Sequence, residues 1–546
     1  MPSSDTFSIL VSQRARKSFI VRTCYLERGN GLAPIIDREF QPDRNGKVRN
    51  RSSKALVLGA IIVAVLMVGA IAGLLAQIVN NKESHQSESP AKIPARITYT
   101  VRSPILINGN GDFTAANGIV SGSGTASDPF IIADWDITAS SDHGIWIQGT
   151  DAHFILRNCQ VHDSSGMYDG LMLYNCVNGT VENNDFWNDG GGIVLSSSSG
   201  NTLINNTCIS NPDSDGINLA SSSNNTLINN TCNSNGAAGI GLFDSDNNTL
   251  VNNSCSSNNY GMYLYVSSNN NTICNNSCSN SLVDGIHLIS SSGNALSNNN
   301  CSSNHAWGIF LDYSNNNTLN NNNCSSNSND GMMLESSSNN NTLVSNRGFW
   351  NVYNGIDVVS SRDNTLVSNN WSSNGYDGAY IGYSANTTLD SNNCSSNNRW
   401  GVQAGHSSWV TMLRNQLCEN GQYGMCFWST SSNNTAFNNT FIGNNGAGSV
   451  YDSGHIQAID DGTDNRWNST EGYGNYWSDW TSPDVLPPYG VVDSPYVIAG
   501  SAGAEDYFPL TTAVEPIPEF GMMPIVVMVI LAAIFLTNGA RRRKAS

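Results

Sequence analysis

At 546 residues the chain could hold several ordinary domains, yet only 12% of it is charged and its net charge is −18. Nucleic acid is excluded as a partner, because it calls for clustered Lys and Arg, and no lysine occurs between Lys92 and Lys544. Asn- and Ser-rich composition reads as disorder unless apolar residues recur at a fixed interval, and in this chain they do.

Residues 1–54 look unlike a domain and are read as a cytoplasmic segment. Residues 55–79 (Ala55 to Val79) form an uncharged apolar run long enough to cross a ~30 Å hydrocarbon core as a helix. Lys47, Arg49, Arg51 and Lys54 precede it, which places the N-terminus inside. A linker over 80–96 and an N-terminal cap over 97–143 follow.

Residues 144–445 are a repeat. Gly-apolar-x-apolar stations begin at Gly144, Gly170, Gly192, Gly216, Gly239, Gly261, Gly285, Gly308, Gly331, Gly355, Gly378, Gly401 and Gly424, at intervals of 22 to 26 residues. Eleven or twelve residues after each Gly stands a second apolar station, from Ile155, Val181 and Leu203 through to Met412 and Ala436. Three residues further comes Asn in every coil, beginning with Asn158 and Asn184. The central run is Asn206, Asn230, Asn253, Asn276, Asn299, Asn322, Asn346, Asn369 and Asn392. Short alternating stretches are strands rather than helices. No coil buries its apolar residues alone, but stacked coils pair in parallel and share a core. We therefore expect an all-β, single-stranded, right-handed parallel β-helix of about 13 coils, roughly 60 Å long at ~4.8 Å per coil. The Asn column is expected at a tight bend, in the left-handed conformation Asn tolerates.

Cys208, Cys232, Cys255, Cys278, Cys301, Cys324 and Cys394 form a column of their own, interrupted at Gly348 and Trp371. Inward positions on parallel strands favour reduced Cys as an apolar filler over disulfides or a soft-metal site.

The x residues of the Gly stations point outward and, with the residue before each Gly, make one face aromatic and acidic. Trp146, Tyr263, His287, Phe310, Tyr380, Trp307 and Trp400 are the candidate carbohydrate-binding residues, since aromatic faces stack on sugars while carboxylates accept their hydroxyls. Against this, aromatics suit exposed strand positions through cross-strand packing, and Asp-Gly is an ordinary turn. Asp330, Asp357 and Asp377 fall on successive coils and are the candidate catalytic carboxylates, with Asp330 and Asp377 ~10 Å apart at two coil spacings. Three such carboxylates are also a candidate Ca²⁺ site. The histidines show no metal-ligand spacing, so no metal site and no cofactor are assigned. Asn-x-Ser/Thr sequons recur at Asn178, Asn205, Asn224, Asn252, Asn316, Asn386 and Asn468, and only outward ones are open to glycosylation.

A C-terminal cap over 446–514 is followed by 515–546: Pro518-Glu519-Phe520, an apolar run from Met522 to Leu536, then Arg541, Arg542, Arg543 and Lys544. That tail resembles the PEF-CTERM sorting signal of archaeal surface proteins, which implies an archaeosortase-like processing partner and lipid attachment. The alternative is a plain C-terminal membrane helix. Either places the repeat outside the cell.

The flanking motifs Arg102-Ser103-Pro104-Ile105-Leu106-Ile107-Asn108-Gly109 and Gly122-Ser123-Gly124-Thr125-Ala126-Ser127-Asp128-Pro129-Phe130, and after the coils Gly474-Asn475-Tyr476-Trp477-Ser478-Asp479-Trp480, resemble the NosD-like β-helix family. The resemblance implies the fold over roughly 97–512. For function it implies a range, from copper maturation to glycan processing. Copper rests on that resemblance alone. Binding of surface glycans is expected ahead of turnover by a glycoside hydrolase.

Overall fold

A computed structural model of the chain describes residues 11–15, 20–28, 31–34 and 99–514, apart from Ser165. Residues 1–89 and 90–546 are separate units. In the first, strands Val11–Ala15, Ile20–Arg28 and Gly31–Pro34 pair as an antiparallel three-stranded sheet, in a segment where the sequence gives no sign of a domain. The apolar run at 55–79 and the tail at 515–546 lie outside the described residues. Among the described residues no helix is long and apolar enough to cross a membrane.

The second unit is a parallel β-solenoid of the right-handed type, about 14 turns long. Its coils stack in register: Ile217, Asn218 and Leu219 face Ile240, Gly241 and Leu242 of the next coil. Two 15-stranded sheets result, one from the Gly stations and one from the Leu stations. The third side has strands at its two ends, and single parallel bridges such as Thr231 to Ser254 to Ser277 between them. The extra turn relative to the repeat count comes from the flanks. Ile105–Asn108 already pairs in parallel with the Ile145 strand, and Ala458–Asp460 continues the first sheet at the far end.

Alternation fixes what is buried. Ile217 and Leu219 are fully inside, and so is each Leu of the second station. One register differs from expectation: Leu156, not Ile155, is the inward residue of its coil, because Leu156 faces Val181. Asn158 consequently sits at the bend, and Cys159 takes the ladder position beneath Asn184.

The Asn column is not itself left-handed. The residue before it is: Asn205, Asn229, Asn252 and Asn275 have φ of 55 to 57°. The column points inward. Asn276 Nδ2 donates to the Leu250 carbonyl (3.0 Å) and to Asn299 Oδ1 (3.1 Å), while Asn276 Oδ1 accepts the Asn253 backbone N–H (2.8 Å). Each amide thus satisfies backbone groups that the bend leaves unpaired. Two further Asn columns do the same at the other bends, one through Asn235, Asn258 and Asn304, the other through Asn225, Asn248 and Asn271. A Ser column at 222, 245, 268 and 291 lies beside them. Gly216 belongs to this device: a Cβ there would lie 2.6 Å from Asn235 Nδ2.

The twelve cysteines of the solenoid unit are unpaired, and the column from Cys208 to Cys324 and Cys394 is wholly buried. Gly348 interrupts their column to admit the Trp371 indole, which would lie 2.8 Å from a Cβ at 348.

Both open ends are covered, as exposed strand edges require. Ile119–Ser121 runs antiparallel onto Phe130–Ala133 at one end. At the other, Trp477 stacks between Phe441 (4.1 Å) and Tyr496 (4.0 Å), and buried Asp506 accepts Trp477 Nε1 (2.9 Å).

Candidate functional site

On the first sheet, the outward residues two and four places after each Gly make a floor. The residues before the Gly make one rim, and the bend five places after it makes the other. Between Trp307 and Trp428 the floor is buried or half-buried and the rims stand clear of it. Gln403 is 8% exposed, whereas Tyr383 is 60% and Tyr376 40% exposed; Trp428, four places after Gly424, stands 45% exposed at the C-terminal end of the floor. Gly382 and Gly405 lower the floor further, and the Tyr380 ring lies across Gly382, 2.6 Å from where its Cβ would be.

The bend rim carries Tyr313, Tyr383 and His406, with φ of 48, 51 and 52°. Other coils hold Ser there, at Ser221, Ser290 and Ser360. A bulky side chain in the left-handed region costs about 1 kcal/mol or more, so these three are kept against local preference. Tyr383 and His406 stack face to face at 4.4 Å. On the opposite rim Tyr353 stacks on Tyr376 at 5.1 Å, and the Arg399 guanidinium lies 4.1 Å over Trp400 and 5.3 Å over Tyr376.

The three candidate carboxylates meet in this trough with unequal duties. Asp330 Oδ1 accepts the Asn354 backbone N–H (2.7 Å), and its Oδ2 accepts Trp307 Nε1 (3.0 Å). Asp377 Oδ1 accepts the Trp400 backbone N–H (3.2 Å). In the amide orientation that satisfies both its ends, Gln403 donates to Asp377 Oδ2 (3.0 Å) and accepts from Trp428 Nε1 (2.6 Å). These two aspartates tie one coil to the next. Asp357 stands on the floor and accepts only from Asn354 Nδ2 (2.7 Å). Burial pushes all three carboxyls up. Asp357 rises well above the usual range, reinforced by Asp330 and Asp377, and Asp377 reaches about 6 against the opposing pull of Arg399. Asp312 and Glu335 face each other on adjacent strands, and burial together with Asp312 raises Glu335.

The other sequence candidates crowd the N-terminal end of the trough or lie beyond it. Tyr263, His287, Phe310 and Trp307 form one packed cluster: Tyr263 on Tyr260 (4.8 Å), His287 on Phe310 (4.4 Å), Phe310 on Trp307 (4.8 Å). Their faces are spent largely on one another. His287 Nδ1 faces buried Asp284 at 2.9 Å. Trp146 belongs to the strand next to the N-terminal end of the sheet, far from the carboxyls. None of Tyr353, Tyr376, Tyr383, His406 and Arg399 is a site candidate in the sequence reading; the signal for Tyr383 and His406 was an aromatic or imidazole ring in a column of Ser. Of the sequon asparagines, Asn178, Asn205, Asn224, Asn252, Asn316 and Asn386 are exposed and Asn468 is half-buried. A separate cavity of about 380 Å³ lies in the C-terminal cap, lined by residues that include Asp464, Arg466, Asn468, Glu505 and Tyr507.

The family model described as periplasmic copper-binding protein (NosD) matches residues 103–284, 277–381 and 337–482. The chain therefore belongs to the NosD family. No curated protein matches it. Among solved structures it is similar to a double mutant of the periplasmic alginate epimerase AlgG, with 15% identity over 61% of this chain and 83% of that one and a TM-score of 0.38. It is also similar to a PL6 alginate lyase in complex with a trisaccharide, with 13% identity over 76% and 92% and a TM-score of 0.38. The A-module of Azotobacter vinelandii mannuronan C-5 epimerase AlgE4 is 12% identical over 67% and 86%, with a TM-score of 0.24. At these values the similarities carry no argument about activity.

Copper does not fit the described residues. Among the described residues no group of three or more His, Cys, Asp or Glu is arranged to hold a metal ion. The thiol column is wholly buried; burial pushes the Cys208, Cys255 and Cys301 thiols well up, while at Cys232 and Cys278 burial is outweighed by hydrogen bonds from these neighbours, which bring them to about 6 and about 5.

Proposed function

We propose that this member of the NosD family is a surface-displayed rod that binds an extended polysaccharide along the trough between Trp307 and Trp428. One observation carries the reading: two rims of exposed, stacked rings bracket a floor of carboxyls and glycines along the solenoid axis. Coils repeat every ~4.8 Å, so the lining repeats along the axis as a linear polymer does. Rings supply rigid apolar faces, and the polar groups between them supply hydroxyl partners. The basic-flanked apolar run at 55–79 and the tail with Pro518-Glu519-Phe520 support display outside the membrane, with surface glycans and a sorting enzyme as partners.

The test is binding of a panel of neutral, acidic and amino polysaccharides, with Tyr376→Ala and Tyr383→Ala as variants. Binding that both variants weaken about tenfold supports the trough; a panel without binding overturns it. Hydrolysis is the second reading, because Asp377 is held near 6 and burial with its acidic neighbours raises the adjacent Asp357 well above the usual range, and a carboxyl with a raised pKa is what a general acid requires. Mass spectrometry of the same incubations decides it: new oligosaccharides abolished by Asp357→Asn make the protein a hydrolase.

A further inference from the structure

We infer that the polymer this trough takes carries free amines, as a deacetylated hexosamine chain does, and that uronates are turned away. The inference rests on the trough reading and adds its charge. Asp312, Asp330, Glu335, Asp357 and Asp377 line the floor and rims over four successive coils. Arg399 answers Asp377 and is already engaged, flat over Trp400 and Tyr376 with its Nε 3.9 Å from Asp377, and His287, itself beside Asp284, acts on Glu335. A polyanion laid here would meet five carboxyls and a spent guanidinium.

Two buried polar atoms in the same trough lack partners. Asp312 Oδ1 has no donor, and Trp400 Nε1, on a side chain 7% exposed, has no acceptor. Asp330 and Asp377 have both oxygens occupied, so the acceptors left for a ligand are on Asp357, Asp312 and Glu335. An ammonium is the donor that serves unpaired carboxylate oxygens best, since the resulting hydrogen bonds are charge-assisted. A sugar hydroxyl fits Trp400 Nε1 as acceptor, and the pyranose face fits Tyr383 and Tyr376. No metal arrangement competes for these oxygens among the described residues. The carboxyls repel one another across adjacent coils, and a ligand cation relieves that repulsion where protonation otherwise must. Binding therefore drives protons off, and the sign of that exchange separates an amine ligand from a neutral one, whose added burial would draw protons on.

The experiment is calorimetric titration of the full chain near pH 6, about where Asp377 titrates, in two buffers of different ionisation enthalpy. Three probes are used: a glucosamine oligomer, its N-acetylated counterpart and an oligouronate. The expected result is tightest binding of the amine form, release of protons, and weakening as salt is raised. Glu335→Gln and Asp357→Asn should each cost about tenfold for the amine form, on the scale of one charge-assisted hydrogen bond, and little for the acetylated form. Tyr383→Ala should weaken both forms alike. Equal or tighter binding of the acetylated oligomer, or of the oligouronate, overturns the amine inference and leaves the trough standing. Binding of no probe overturns the trough reading itself.

Discussion

Asp189 is the one acid in a column of amides, and replacing it by Asn should stabilise the protein. In the neighbouring coils Asn211 donates through both its backbone N–H (3.2 Å) and its Nδ2 (3.0 Å) to Asn235 Oδ1. Asp189 donates only its backbone N–H to Asn211 Oδ1 (3.0 Å); its Oδ2 is buried without a partner. That oxygen sits where the others place Nδ2, 2.6 Å from a Cβ built at Gly170, as Asn235 Nδ2 is from one at Gly216. Burial pushes the Asp189 carboxyl up to about 7 from 3.8, although the Ser164 hydroxyl and N–H hold its Oδ1. A carboxyl raised in the folded state contributes fully only below about pH 4, and the contribution is lost as pH rises through about 7. Three units at 1.36 kcal/mol each give about 4 kcal/mol lost at pH 8, and less than half of that at pH 5. Asp189→Asn removes the penalty and completes the rung, so it should gain about 2–4 kcal/mol at pH 8 and clearly less at pH 5. Urea unfolding at the two pH values, with the slope checked for constancy, measures this. A neutral or destabilising effect at pH 8, or a gain that does not shrink at pH 5, refutes the reasoning.

Asn276→Ala should cost about 3–5 kcal/mol by the same assay, because it strands the Leu250 carbonyl and two donors of Asn253 inside the bend. Tyr383→Gly relieves a left-handed aromatic residue and should raise stability by about 1 kcal/mol while weakening polysaccharide binding, two readouts that move in opposite directions. The thiols of Cys208 to Cys324 should ignore a colorimetric thiol reagent in the native protein and react after unfolding in urea; rapid reaction in the folded state would mean that the column is accessible.

The fold was legible because its signal is periodic. Gly, Leu and Asn return at one interval, and a coil that cannot bury its own Leu must stack. The register slip at Ile155 came from a coil in which Phe154, Ile155 and Leu156 are all apolar, so alternation gave no direction. Two of the three Asn columns were invisible for the opposite reason: in so Asn-rich a repeat, Asn235 or Asn248 does not stand out from its neighbours. The direction of the legible column was also beyond sequence reasoning, since Asn suits both the left-handed bend, where Asn205 sits, and the inward rung, where Asn206 sits. The site was legible in part. The column of x residues led to Asp357 and Tyr380, and the residues before Gly to Asp330 and Asp377. That same rule could not tell that Tyr263, His287 and Phe310 pack on each other rather than stand free. The bend rim was missed because a bend position ordinarily holds Ser, and Tyr383 or His406 there reads as noise until the sheet brings them face to face.

Hydroxyl-radical footprinting of the full chain, with and without the polysaccharide that the panel identifies, tests the trough most directly. The account predicts protection at Tyr353, Tyr376, Tyr383, His406 and Trp428, and none at the exposed Met167, Tyr174 or Tyr489. Protection at Tyr489 and Tyr507 in the C-terminal cap, with the rim rings unchanged, would contradict it.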